Sequence, residues 1–204
     1  MTTDPTLFWE DRYSQSSQMF SGKPNPLLVR EVTGLLPGNA LDLGCGEGGD
    51  AIWLAGQGWR VTGVDISMTA LRRAADHAER AGVDGLVAWE RHELGKTFPD
   101  GRYDLVSAQF LQSPVALDRD GVLRRAAAAV APGGTLLVVM HGGWPSWMAD
   151  GPDVEFPTLD GVLAVLTAPG WTVVTAEAVE RDSVSPEGVA GTRVDLVWRL
   201  SRPV

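Results

Sequence analysis

Two spacings of apolar residues alternate along the chain. Behind Asn25 and Pro26, residues Leu27, Leu28, Val32, Leu35 and Leu36 recur at helical spacing. Asparagine suits the N-cap there, proline suits the first helical position, and Pro37 with Gly38 ends the run. Residues 40–43 read as a first strand, 49–57 as a helix closed by Gly58, and 60–64 as a second strand. Ser67 can cap a helix over 68–81, whose Ala70, Leu71, Ala74, Ala75 and Ala78 make one narrow face. Strands are expected at 86–89 and 103–108, and an alanine-rich helix opens at Asp118 and Asp120 and ends at Pro132. Residues 135–140 are apolar without interruption, which predicts a fifth strand covered on both faces. A helix over 158–166 and strands over 171–179 and 193–200 close the chain. Residues 1–23, polar with embedded aromatics, read as a partly ordered N-terminal arm ahead of a single domain over 24–204.

Strands separated by helices imply a parallel sheet with right-handed crossovers. The last two strands lack an intervening helix, so they are expected to pair as an antiparallel hairpin. The fold class predicted is α/β: a mostly parallel seven-stranded sheet with helices on both faces. A length of 204 residues with 44% apolar content suits one domain with a substantial core. A net charge of −9 disfavours nucleic acid and anionic membranes as partners, because no basic stripe offsets their phosphates. No run of 18 apolar residues is present, the first residues lack a signal pattern, and Cys45 is the sole cysteine. A cytoplasmic protein without a disulfide or cysteine-held metal is expected, as a monomer or homodimer.

The densest chemistry lies in Leu41-Asp-Leu-Gly-Cys-Gly-Glu-Gly-Gly-Asp50, followed by Val61-Thr-Gly-Val-Asp-Ile-Ser67. Glycines after a strand let the backbone turn tightly and approach a ligand, and the next helix aims free N–H groups at the same spot. Asp65 ends the following strand, 21 residues after Gly44, where a carboxylate can accept both hydroxyls of a ribose. The pattern is a nucleoside-cofactor site. Gly44, Gly46 and Gly49 satisfy the dinucleotide fingerprint, while Gly44, Gly46 and Gly48 satisfy a G-x-G-x-G reading. Asp42, inside the strand end where dinucleotide sites carry an apolar residue, favours S-adenosylmethionine, as does the little room left for a substrate domain.

Over about residues 24–141 the sequence resembles the class I S-adenosylmethionine-dependent methyltransferases. The resemblance implies a Rossmann-like methyltransferase fold in which the closing hairpin is the hallmark. It also implies that Gly44, Cys45 and Gly46 pass beside the methionine part of the cofactor and that Asp65 holds the ribose. Ile66 would pack on the adenine, Glu93 and Leu94 would lie at its amino group, and Gln109 would lie near the methionine end. Phe8, Trp9, Tyr13, Phe20, Pro24 and Asn25 resemble the start of small thiopurine and tellurite-resistance methyltransferases. There, arm aromatics fold over cofactor and substrate as a lid, a role that falls here to Trp9, Tyr13 and Phe20. A sulfonium is attracted to ring faces, and excluding water favours the transfer.

Methyl transfer is an in-line displacement, so positioning dominates and a base matters only for a nucleophile of high pKa. His141, just past the fifth strand, is the candidate base. Met19, Trp144 and Trp147 are candidate walls for the acceptor, while His77 and His92 read as structural or solvated. The family resemblance favours a thiol or chalcogen on a small molecule, with an oxygen or nitrogen of a metabolite as the alternative. A silent cofactor-binding protein and an NAD-dependent reductase are the readings from other classes.

Overall fold

A computed structural model describes residues 4–148, 151–167 and 169–204; residues 1–3 of the expected arm lie outside these. Seven strands form one sheet: β1 (Asn39–Leu43), β2 (Arg60–Asp65), β3 (Val87–Arg91), β4 (Tyr103–Gln109), β5 (Val130–His141), β6 (Thr172–Val184) and β7 (Ala190–Ser201). Their order is β3-β2-β1-β4-β5-β7-β6. The first five pair in parallel, and β7 runs antiparallel to both β5 and β6. Six helices accompany them: α1 (Pro5–Ser14), α2 (Pro26–Val32), α3 (Gly49–Gly56), α4 (Met68–Ala81), α5 (Arg119–Ala129) and α6 (Leu159–Leu166).

β5 shows why its sequence is apolar throughout. Leu136, Val138 and Met140 pack into one core layer with Val122, Leu123 and Ala126 of α5 and Val162 and Leu166 of α6. Leu137 and Val139, one residue out of phase, pack into the opposite layer with Leu28 and Val32 of α2 and Leu54 of α3. A strand buried on both faces has no position for a polar residue. The expected caps also form: Asn25 Oδ1 accepts from Leu27 N at 3.0 Å, and Ser67 Oγ from Ala70 N at 3.1 Å.

Several boundaries differ from the sequence expectation, among them that between α5, which ends at Ala129, and β5, which already begins at Val130 rather than at 135. The arm contains a helix, α1, capped by Asp4, whose Oδ1 accepts from the amides of Thr6 and Leu7. α2 stops at Val32 rather than running to Leu36, because Gly34 turns the chain at φ +90° and leaves Leu36 exposed. β6 and β7 are longer than expected. β5 ends where His141 pairs with Asp195, but β6 and β7 continue pairing to Val184 and Ala190. The hairpin tip therefore projects beyond the carboxyl end of β5. No helix among the described residues is long and apolar enough to cross a membrane.

Candidate cofactor and acceptor cavity

β1 has β2 on one side and β4 on the other, so the strand order reverses between β1 and β4. Open α/β sheets bind ligands at such a point, beyond the carboxyl ends of the strands. A cavity of about 1110 Å³ opens there. Pockets for a single drug-sized ligand run to about 1,000 Å³, so this one lies at the large end of that range. Its wall is built by the loops after β1, β2, β3 and β4, by the arm, and by one residue of β6, Arg181.

Local conformation explains the glycines after β1. Gly44 has φ +71° and Gly46 φ +53°, a region that side chains rarely adopt. A Cβ on Gly44 would lie 2.7 Å from Leu111 Cδ1, and one on Gly46 would lie 3.0 Å from the Tyr13 hydroxyl. The amide of Gly46 donates to Asp65 Oδ2 at 2.9 Å, and that of Ser67 donates to Asp65 Oδ1 at 2.9 Å. Both bonds stabilise the ionised form, yet burial prevails and raises the Asp65 pKa. Asp42 and Asp50 lie in the same floor. Burial, reinforced by Asp50, pushes Asp42 well above the carboxylate range, and burial lifts Asp50 to about 6. Asp50 Oδ1 accepts from Asn25 N at 2.6 Å, but Asp42 Oδ2 is buried with no partner among the described residues.

Two carboxylates latch the arm over this floor. Glu47, buried within the glycine turn, accepts from Arg73 Nη1 at 2.8 Å and from the amides of Met19 and Phe20 at 3.0–3.1 Å. Burial opposes ionisation of Glu47, but these donors outweigh it and hold its pKa below the usual range. Arg73 Nη2 also donates to the carbonyls of Tyr13 and Ser16. Glu10 accepts from Met68 N at 2.6 Å and Ser67 Oγ at 3.2 Å, at the positive end of α4. Trp9, Tyr13 and Phe20 form a chain of rings with neighbouring centroids 6.2 Å apart.

Of the residues expected at the site, Trp9, Tyr13, Phe20, Gly44, Cys45, Gly46, Asp65, Ile66, Glu93, Leu94 and Gln109 all line the cavity. Gln109 Oε1 accepts from Asn25 Nδ2 at 2.7 Å, which ties the end of β4 to the start of α2. Asp42, Met19, His141, Trp144 and Trp147 are not on the wall. Asp42 lies in the buried floor, and the amide of Met19 is bound by Glu47. Trp144 packs edge-on against Phe156, and Trp147 lies beneath Arg193, 6.0 Å from its guanidinium carbon.

His141 lies behind Phe110, whose ring stacks on it at 4.2 Å. Its Nδ1 is 2.8 Å from Asp195 Oδ1 and its Nε2 is 3.1 Å from Arg193 Nη1. Sequence reasoning missed Glu47, Phe110, Arg181, Arg193 and Asp195. A carboxylate inside the apolar run Val194-Asp-Leu-Val197 was the available signal for Asp195. Nothing in the sequence marks Phe110, the one non-glycine with positive φ (+53°) among the described residues.

Residues 40–134 match a family described as a methyltransferase domain. The 2-heptyl-1-hydroxyquinolin-4(1H)-one methyltransferase of Mycobacteroides abscessus is 29% identical over 81% of this chain and 69% of its own length. The 27-O-demethylrifamycin SV methyltransferase of Amycolatopsis mediterranei is 39% identical over 53% of this chain, which spans 42% of that enzyme. Among solved structures, one from work on converting a disulfide into a thioacetal during echinomycin biosynthesis has a TM-score of 0.77 and 26% identity, covering 98% of this chain and 92% of that one. TehB from Haemophilus influenzae has a TM-score of 0.72 at 15% identity over 95% of this chain and 66% of its own, a likeness of fold.

Proposed function

We propose that the chain, whose residues 40–134 match a methyltransferase domain, is a class I S-adenosylmethionine-dependent methyltransferase that methylates a small molecule bound beside the cofactor in this cavity. The observation that carries the proposal is the meeting of all but one of the expected cofactor residues on one wall, with the remaining one, Asp42, directly in the floor. The bound cofactor supplies a methyl group on a sulfonium. The chain supplies the rest. Asp65 would hold the ribose hydroxyls, Ile66 and Leu94 the adenine faces, and Glu93 its amino group. Gly44, Cys45, Gly46 and Gln109 would bracket the methionine end, while Trp9, Tyr13 and Phe20 exclude water.

Charge supports this cofactor over a dinucleotide. Asp42, Asp50 and Asp65 gather beneath the turn where a pyrophosphate would have to sit, and Asp50 occupies the first turn of α3. These acids offer a pyrophosphate no cation to pair with, whereas a cofactor carrying a sulfonium and an ammonium would favour their ionised forms.

The acceptor atom proposed is a sulfur, or an oxygen that ionises readily. His92 lines the cavity but is engaged by Thr97 and Glu90, and His141 is engaged at both nitrogens behind Phe110. A thiol or acidic hydroxyl reaches a useful ionised fraction without a dedicated base. Calorimetric titration with S-adenosylmethionine, S-adenosylhomocysteine and NADH tests the cofactor, with binding of the first two expected. Turnover on thiols, acidic phenols and amines then tests the acceptor; amines alone being methylated would refute the ionised-acceptor reading.

A further inference from the structure

The hairpin tip brings charge to the part of the cavity that the cofactor reading leaves free. Arg181 and Arg193 face each other directly across β6 and β7. Like charges so placed are destabilising on their own. Asp195, fully buried, lies beside them, with Oδ2 accepting from Arg181 Nε and Oδ1 bonded to His141 Nδ1. Arginine can only donate, so at His141 Nε2 it is the imidazole that accepts from Arg193, and Nδ1 carries the proton given to Asp195. Two guanidiniums against one carboxylate leave positive charge without a counterion.

That charge is presented at Arg181. Its Nε is used by Asp195, while Nη1 and Nη2 have no partner among the described residues, and the side chain is 31% exposed on the cavity wall. The free edge of a guanidinium is a planar pair of donors that matches the two oxygens of a carboxylate and binds a single oxyanion or thiolate equally well. Phe110 stands below it, 6.0 Å from the guanidinium carbon, and its left-handed backbone conformation is strained for an aromatic residue. Six carboxylates line the remainder of the wall (Asp4, Glu47, Asp50, Asp65, Glu93 and Asp118), so an anion is repelled everywhere but near the cations. Of these, Lys96 is already paired with Glu93 at 2.8 Å, Lys23 stands on the arm side without an ion pair among the described residues, and Arg181 is the one beside Phe110.

We propose that Arg181 binds an anionic group of the methyl acceptor, a carboxylate or the ionised hydroxyl or thiol itself, with Phe110 as the floor for an adjoining flat ring. The inference rests on the methyltransferase reading of the cavity and narrows its substrate class to anions. Asp195 and His141 act as positioning residues: they fix the Arg181 fork and hold Arg193 away from it.

The test uses protein saturated with S-adenosylhomocysteine and matched probes that differ in one charge. These are benzoate against benzamide, 2-naphthoate against 2-naphthamide, and 4-nitrophenol against 4-nitroanisole above the phenol's pKa. At least one anion is expected to bind about 10- to 100-fold more tightly than its neutral partner, the range for one charged hydrogen-bonded pair. Preference in the acid pairs identifies a carboxylate, and preference in the phenol pair identifies the reacting oxyanion. Arg181→Gln should abolish the preference while S-adenosylhomocysteine affinity stays unchanged, and Arg181→Lys should restore part of it. No preference in any pair, or a preference that survives Arg181→Gln, overturns the proposal. Failure of S-adenosylhomocysteine to bind the wild-type protein refutes the methyltransferase reading itself.

Discussion

The floor under the glycine turn and the tip of the β6–β7 hairpin are the two charged regions of the cavity, and they are charged in opposite senses. In the floor, Asp42, Asp50 and Asp65 are buried together with no cation beside them, and burial raises the pKa of each. At the tip, Arg181 and Arg193 share the single carboxylate of Asp195; burial alone would raise its pKa, but His141 and Arg181 outweigh that and hold it down. The first arrangement does not favour the folded state; at the tip the Asp195 pairs do at neutral pH, but one guanidinium remains in excess. Uncompensated buried charge is costly, and a protein keeps it where a ligand supplies the missing partner. On the proposed assignment a cationic cofactor would complete the first region and an anionic acceptor the second, so the two ligands would meet with opposite charges facing.

The largest expected effect comes from removing what closes the cavity over both regions. A chain starting at Lys23 loses α1, the aromatic rings and the Glu47 latch. Turnover should fall on the order of 10²-fold, the scale for lost positioning and water exclusion, with the sheet's circular dichroism retained. Undiminished turnover would reduce the arm to a packing element.

Asp50→Asn probes the floor through stability. The folded-state pKa of Asp50, about 6, exceeds the free value of 3.8, so the native state binds more protons across that interval. Its contribution is greatest below pH 4 and is lost as pH rises through 6. At 1.36 kcal/mol per unit, the asparagine variant should be more stable at neutral pH by up to about 3 kcal/mol, measured by urea unfolding. The same variant should bind the cationic cofactor more weakly. Equal stability at neutral pH would show that the floor is not electrostatically strained.

Arg73→Ala opens the latch without touching the floor. Loss of its bonds to Glu47, Tyr13 and Ser16 should weaken arm docking by about 1.5–3 kcal/mol. Limited proteolysis near Gln15 reads this out as faster cleavage. The smallest effect belongs to His141→Gln. Loss of a general base would cost about 10²–10⁴-fold, whereas loss of a residue that only steadies Asp195 should cost less than about tenfold, with the pH–rate profile tracking the acceptor's own ionisation. A larger loss, and a wild-type profile falling at a histidine-like pKa, would restore His141 as the base.

The alternation of apolar runs made the sheet legible, because helices and strands here bury different periodicities. β5 shows it best: its continuous run demanded two covered faces, and α5 with α6 on one side and α2 with α3 on the other supply them. The glycine turn proposed to hold the cofactor was legible as a turn for a related reason, since Gly44, Gly46 and Asp65 are fixed by local backbone geometry that spacing along the chain records. α1 was not, because its apolar residues pack through aromatic rings and a Glu10 cap on α4 rather than along one periodic stripe. The acceptor region was least legible. Arg181 and Asp195 lie within β6 and β7 and His141 at the end of β5, and these three meet only through sheet register, while Phe110 follows β4. Register is a property of pairing that no single segment encodes.

Separate cofactor and acceptor regions can be distinguished by titrating S-adenosylhomocysteine into three proteins: wild type, Asp65→Ala and Arg181→Gln. The account predicts that Asp65→Ala weakens binding by about 1.5–3 kcal/mol, the value of hydrogen bonds to a charged group, and that Arg181→Gln leaves it unchanged. Binding that survives Asp65→Ala, or that is lost in Arg181→Gln, would contradict the assignment of the two ligands to the two regions.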